Sequence, residues 1–289
     1  MGPFRKPREM RSRDYIQIIL AALIGGIMLK LFVIDAVWVS SSSMEQTLLK
    51  GDVVLVDKLV ERRDNGKHSA SYHANASPLL PSVIRPVMGG DVIVFKYPGD
   101  RDEMTAPNSV EYVKRCVAVA GDTVALREGD LYVNGKYIRF NTNGKRPYFP
   151  ESYSDERLFP AGGSYNVDFY GPVIVPKSGD VITLTRKNFT LYSKLIWQEG
   201  HKVELSADGT IRIDGTIATT YVVERNYLFV LGDNFYNSSD SRFWGFMPEE
   251  NVVGRAALVY WSKSDPENRH DNSLSSTTIR WDRIGTIVR

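Results

Sequence analysis

The chain is poor in cysteine and histidine. Cys116 is the one cysteine in 289 residues, so no internal disulfide can form and bridges cannot report the compartment. Four histidines, His68, His73, His201 and His270, lack the ligand spacing of a zinc site, apart from the loop pair at 68 and 73. No metal is expected. Neither sign of charge dominates: 36 Lys and Arg face 34 Asp and Glu, a net of +2. That balance gives no case for a nucleic-acid partner. The chain has no repeat that would suggest a solenoid. It also lacks S-x-x-K, which leaves a penicillin-binding type of acyltransferase without support.

The N-terminus is rich where the rest is plain. Arg5, Lys6, Arg8, Arg11 and Arg13 precede "YIQIILAALIGGIMLKLFVI", the 20 residues from Tyr15 to Ile34. As a helix rising ~1.5 Å per residue, this run spans ~30 Å, the thickness of a bilayer's hydrocarbon core. Lys30 interrupts it near the far end, where a long stem can snorkel to the interface. The next basic residues are Lys50 and Lys58, so the positive-inside rule puts the N-terminus in the cytoplasm. A cleaved signal peptide would show a small-x-small site soon after the run, and none follows. A buried core helix is rarely apolar on every face. The reading is a cytoplasmic basic segment, 1–14, and one transmembrane helix, 15–35.

Beyond the span, short β-branched runs dominate: "DVVLVDKLV", "DVIVFKYP", "VEYVKRCVAVA", "DTVALREGDLYVNGKYIRF", "DVITLT", "LFVLGD" and "GRAALVYWS". Asp208-Gly209 marks a hairpin turn. One helix is predicted, from about Arg186 to Gln198. Segments 61–90, 140–175 and 263–275 read as loops, and "IRWDRIG" as a closing strand. Gly-Asp precedes strands at Gly51, Gly90, Gly121, Gly179 and Gly232, which is turn chemistry first. The fold class is mainly β: an antiparallel sandwich or barrel-type catalytic domain in two parts, 36–136 and 226–289. A β-rich insert with one helix, 137–225, separates them.

"SSSSMEQTLLKGD", from Ser40, is either a linker or the home of a nucleophile. A serine nucleophile needs a base and an oxyanion site, and no histidine here sits in a recognisable catalytic motif. A lysine can serve if it loses its proton near neutral pH. An exposed lysine titrates at about 10.4, so moving it to ~8 takes roughly 3 kcal/mol, which burial among apolar groups can supply. Lys114 in "VEYVKRCVAVA" lies inside an apolar strand, whereas most other lysines lie in loops or polar turns. The ordinary alternative for a strand lysine is a solvent-facing side chain.

"SSSMEQTLLKGD" after an anchor, "GGDVIVFKYP", "EYVKRCVAVAGD" and "LGDNFYNSSDSRFWGFMPEENVVGRA" occur together and in order. This set resembles the bacterial type I signal peptidases, from the anchor to about Trp261, with the insert only loosely covered. The lysine motif separates it from the endoplasmic-reticulum relatives, which use histidine there. The resemblance implies a membrane serine endopeptidase that removes signal peptides from preproteins, cutting after small residues and using no cofactor. Its partners would be preprotein signal peptides and the lipid bilayer. Its place would be the bacterial plasma membrane, crossed once, with the catalytic domain on the outer side.

By the same resemblance Ser43 is the nucleophile and Lys114 the general base. The Ser41 hydroxyl and the Ser43 N–H form the oxyanion hole. Ser238 orients the lysine. Asp240 and Arg242 form a supporting ion pair, for which a plain surface pair is the alternative. Asp233 and Asn234 make a structural turn, and Val39, Met44, Leu48 and Val113 line small apolar substrate pockets. The chain departs from the family's usual pattern at Gln46, where proline is usual, and at Phe235 and Tyr236, which replace a charged pair. A self-cleaving repressor-type Ser–Lys protease would carry a DNA-binding domain instead of an anchor. A membrane-tethered, non-catalytic β-domain would keep the fold and lose the dyad.

Overall fold

A computed structural model describes residues 12–60, 85–101, 110–139, 149–264 and 278–289. The basic residues 5 to 11, most of the expected 61–90 loop and His68, His73 and His270 lie outside the described residues. Helix α1 runs Ser12–Phe32. Its large side chains, such as Ile16 and Ile19, are exposed. The side chains of Leu29, Leu31 and Phe32 lie outside the described residues. Among the described residues no helix is long and apolar enough to cross a membrane.

Next come β1 (Ile34–Trp38), β2 (Asp52–Asp57), β3 (Val92–Lys96) and β4 (Glu111–Val119). Then follow β5 (Thr123–Arg127), β6 (Asp130–Val133), β7 (Lys136–Ile138) and β8 (Tyr170–Ile174). After β9 (Val181–Thr183) comes α2 (Phe189–Gln198). Four short strands follow: β10 (Val203–Leu205), β11 (Ile211–Ile213), β12 (Thr216–Ile217) and β13 (Thr220–Val222). The chain ends with β14 (Tyr227–Leu231), α3 (Ser241–Trp244), β15 (Met247–Pro248) and β16 (Val252–Ser262).

The main sheet has seven strands in the order β1-β2-β16-β3-β4-β14-β15, every pairing antiparallel. Strands far apart in sequence thus bring the two ends of the chain together. β14 is buried on both faces. Tyr227, Phe229 and Leu231 join one apolar cluster, and Leu228 and Val230 join another, as the two-residue period of a strand requires. The strands between β4 and β14 form three smaller sheets: β7-β6-β5-β8, β10-β11-β12 and β13-β9. The expected boundary at 136/137 falls inside β7, and the first of these sheets begins earlier, at Thr123.

Three sequence expectations need correction. The segment 140–175 contains a strand, β8, despite Pro172. β8 is an edge strand paired only with β5, where a missing N–H costs no ladder bond. Helix α2 starts at Phe189 rather than near Arg186. The Thr185 N–H donates to Asn188 Oδ1 and the Asn188 N–H to Thr185 Oγ1, a local turn that competes with helix. "IRWDRIG" is not a regular strand. It forms a short 3-10 turn, Trp281–Arg283, flanked by single bridges Lys263–Ile279 and Leu258–Ile287. Arg280 and Arg283 turn inward to the fully buried Asp52, which also accepts from the Ser262 hydroxyl.

The Gly-Asp pairs share a device. At Asp52, Asp91, Asp122 and Asp180 the carboxylate accepts the N–H of the residue three positions earlier: Leu49, Met88, Val119 and Lys177. The glycine before each has φ between 89° and 102°, a left-handed value that an L side chain resists. The fifth pair, Gly232-Asp233, departs from this pattern and lies in the candidate site.

Candidate active site

After β1 the chain stays beside β2 through Val39 N–H to Asp52 O, 2.8 Å, and Gly51 N–H to Val39 O, 2.9 Å. It then turns tightly, with the N–H groups of Thr47 and Leu48 both donating to Met44 O. Met44 and Leu48 are buried in an apolar cluster with Val39, Val54, Val92 and Val259. This packing pins the turn that carries Ser43. The opening serine run is therefore no flexible linker.

Lys114 enters from β4. Its Nζ donates to Ser43 Oγ at 2.5 Å, and both residues are buried, at 4% and 6% exposure. The solvent-facing alternative for Lys114 does not hold. Burial pushes its pKa down to about 8, with Arg242's positive charge acting in the same sense and Asp240 and Asp233 opposing. The Tyr112 ring centroid lies 5.5 Å from Nζ. Ser41 Oγ lies 3.1 Å from Ser43 Oγ, and the Ser43 N–H has no acceptor among the described residues.

Ser238 is buried, but its Oγ has no hydrogen-bond partner among the described residues. The expected hydrogen bond to Lys114 is therefore absent. The ammonium is committed to Ser43, and the hydroxyl packs on the backbone of Gly232. A Cβ at residue 232 would fall 2.1 Å from Ser238 Oγ and 2.6 Å from Ser43 O. Only glycine fits there, because of space rather than φ.

Asp240 and Arg242 are no surface pair: both side chains are fully buried. Arg242 Nε and Nη2 reach the two carboxylate oxygens at 2.8 Å each, a bidentate fork. Asp240 Oδ2 also accepts the Gly232 N–H at 3.1 Å. Arg242 Nη2 donates to Phe235 O, and the Phe235 ring covers the guanidinium at 3.9 Å. Asp233 accepts from Arg115 at 2.8 and 2.6 Å and from Thr47 Oγ1 at 2.5 Å. It thus ties β4 to the nucleophile turn. Sequence reasoning missed Arg115, although it directly follows Lys114. The Asn234 N–H donates to Ser43 O at 2.9 Å, and its Nδ2 to Ser42 O at 3.1 Å.

A cleft of about 360 Å³ opens beside this cluster. Val39, Met44 and Val113 line it, with Ser41, Ser43 and Lys114. Leu48 does not: it is fully buried beneath the turn. Trp38, Val110 and Tyr112 also line the cleft and were missed, although Trp38 and Tyr112 directly neighbour the named Val39 and Val113. Ser239 faces the cleft, while Ser238 does not line it. Among the described residues no cluster of three or more His, Cys, Asp or Glu could hold a metal ion.

The family described as signal peptidase, peptidase S26, matches residues 12–261. The signal peptidase I of Aquifex aeolicus is 32% identical over 93% of this chain and 91% of its own. That of Pseudomonas aeruginosa is 28% identical over 95% of this chain and 78% of its own. A solved signal peptidase I from Enterococcus faecalis matches 57% of this chain and 92% of that chain at 20% identity. Its TM-score is 0.29, too low for a likeness of fold to be drawn. The family match spans both the turn that carries Ser43 and the strand that carries Lys114, and the chain belongs to the signal peptidase family, peptidase S26.

Proposed function

We propose that this signal peptidase removes signal peptides from preproteins by a Ser43–Lys114 dyad. Neutral Lys114 takes the Ser43 proton as Oγ attacks the scissile carbonyl. The Ser41 hydroxyl and the Ser43 N–H hold the resulting oxyanion. The Lys114 ammonium passes that proton to the departing amine as the scissile C–N bond breaks and the acyl-enzyme forms, and the lysine amine, neutral again, activates the water that hydrolyses it. The observation that carries this reading is the 2.5 Å contact between Lys114 Nζ and Ser43 Oγ, both buried. With a pKa of about 8, about a tenth of the lysine is neutral at pH 7, against roughly one in a few thousand when exposed. Ser238 lies against Gly232, which also neighbours Ser43 O, and is the proposed hydroxyl that aims the amine when Lys114 releases Ser43. Val39, Met44 and Val113 form the apolar wall that favours small substrate side chains before the cut.

Helix α1 is the proposed single-span anchor. Its support is a run that is apolar apart from Gln17 and Lys30, with large apolar side chains left mostly exposed: Ile16, Ile19 and Leu23 are 64%, 64% and 57% exposed. Lipid would cover them. The basic residues before it would stay in the cytoplasm and the sheets would lie on the outer face of the bacterial plasma membrane, where a signal peptide's cleavage region emerges. The functional test is direct. Detergent-extracted full chain should convert a preprotein to its mature form, and Ser43→Ala should not. Equal conversion by the two would end the assignment of Ser43.

A further inference from the structure

The two residues that depart from the family's pattern, Phe235 and Tyr236, do specific work in this fold. They lie in a one-turn 3-10 segment, Phe235–Asn237. On one side of Tyr236, Asn234 donates to the carbonyls of Ser42 and Ser43. On the other, Asn237 Nδ2 donates to Ser42 Oγ at 3.0 Å. Both asparagines therefore set where the nucleophile turn stands. Tyr236 reaches away from them. Its hydroxyl donates to Asp168 Oδ1 at 2.7 Å.

Asp168 is a fixed post. It is 2% exposed. Its Oδ2 accepts the Phe149 N–H at 3.0 Å, its own N–H donates to Asn166 Oδ1 at 2.9 Å, and its carbonyl accepts the Gly129 N–H at 2.9 Å. These three partners, Phe149, Asn166 and Gly129, lie in the segment between β4 and β14, outside the main sheet.

We propose that Tyr236 and Asp168 form a positioning pair, by which the inserted sheets hold the 234–237 turn and, through its two asparagines, the Ser43 turn. The proposal rests on the Ser43 reading above. Neither residue touches substrate. The pair acts by fixing the distance between Ser43 Oγ and the base, where a shift of about 1 Å from a remote change can cost on the order of a hundredfold in rate.

The test is a double-mutant cycle in full-length protein: Tyr236→Phe, Asp168→Ala and the double variant, assayed on one preprotein. Tyr236→Phe removes a single hydroxyl and keeps the ring, so folding is not at stake. It should lower kcat about tenfold with KM unchanged, because the loss is of alignment and not of substrate contact. The double variant should be no slower than Asp168→Ala alone. An unchanged kcat for Tyr236→Phe, a rise in KM alone, or losses that multiply in the double variant would each overturn the pair. If wild type cuts no preprotein, the functional reading fails and the positioning role with it. The cycle in thermal midpoints would still report the Tyr236–Asp168 bond by itself, which separates the two failures.

Discussion

At Lys114 catalysis and burial favour the same protonation state, and stability bears the cost. Its amine must be neutral to act, and its burial makes the charged form costly. With a folded pKa near 8 and an unfolded value of about 10.4, the unfolded chain binds more protons between these values. Stability therefore rises with pH across that window, and below pH 8 the buried lysine costs about 3 kcal/mol. Lys114→Met should abolish cleavage yet melt higher than wild type at pH 7, with the margin shrinking toward pH 10. A lower melting point at pH 7 would show that Lys114 is paired more strongly than its surroundings indicate. Ser238 supports a parallel argument. A buried hydroxyl without a partner costs about 1–3 kcal/mol, so Ser238→Ala should stabilise the protein. If the hydroxyl aims the lysine during turnover, the same change should lower kcat roughly ten- to a thousandfold. Stabilisation with unchanged kcat would remove Ser238 from the mechanism. Ser239→Ala is a poor control for this test, because Ser239 faces the cleft. Gln46 belongs here too. Among the described residues its buried Oε1 has no partner and its N–H has no acceptor. Gln46→Pro should therefore fold and retain activity, as thermal melting and the preprotein assay would show.

At the scale of elements, the Ser43 turn is clamped from three sides: Asp233 through Thr47, the 234–237 turn, and the C-terminal segment. Arg283 Nη2 donates to Thr47 O at 3.0 Å and to the buried Asp52 at 2.6 Å. Arg283→Ala would leave part of Asp52's charge without its partner, so a loss of about 3–5 kcal/mol is predicted, the range for breaking a buried pair. Chemical denaturation would measure it, and a change under 1 kcal/mol would mean that Arg280 alone satisfies Asp52. Legibility at this scale followed the physics of each signal. β2, β4, β14 and β16 were readable because β-branched runs and Gly-Asp turns are local. β8 was hidden by its proline, and the C-terminal turn by long-range bonds from Arg280 and Arg283 that no local pattern announces. The pairing of Asp233 with Arg115 was hidden for the same reason, since 118 positions separate them. Lys114 and Ser43 were legible only because motif order supplied what spacing could not: they stand 71 positions apart.

Across the whole molecule, one sheet gathers strands from both ends of the chain, and the inserted sheets buttress it from between. The anchor proposal belongs at this scale. Protease added outside intact spheroplasts should cut within 61–90 and spare the N-terminus. A degraded N-terminus beside a protected 61–90 would invert the topology. The central claim is narrower: a buried lysine, neutral when it acts, is the base for Ser43. The most direct measurement is kcat for preprotein cleavage by the full-length protein from about pH 6 to 10, in wild type and Lys114→Arg. A guanidinium stays charged across this range. The account predicts that wild-type kcat rises with pH along a limb centred near pH 8 and then levels, and that Lys114→Arg is inactive throughout. Cleavage by Lys114→Arg at wild-type rates, or a wild-type profile flat across this range, would contradict it.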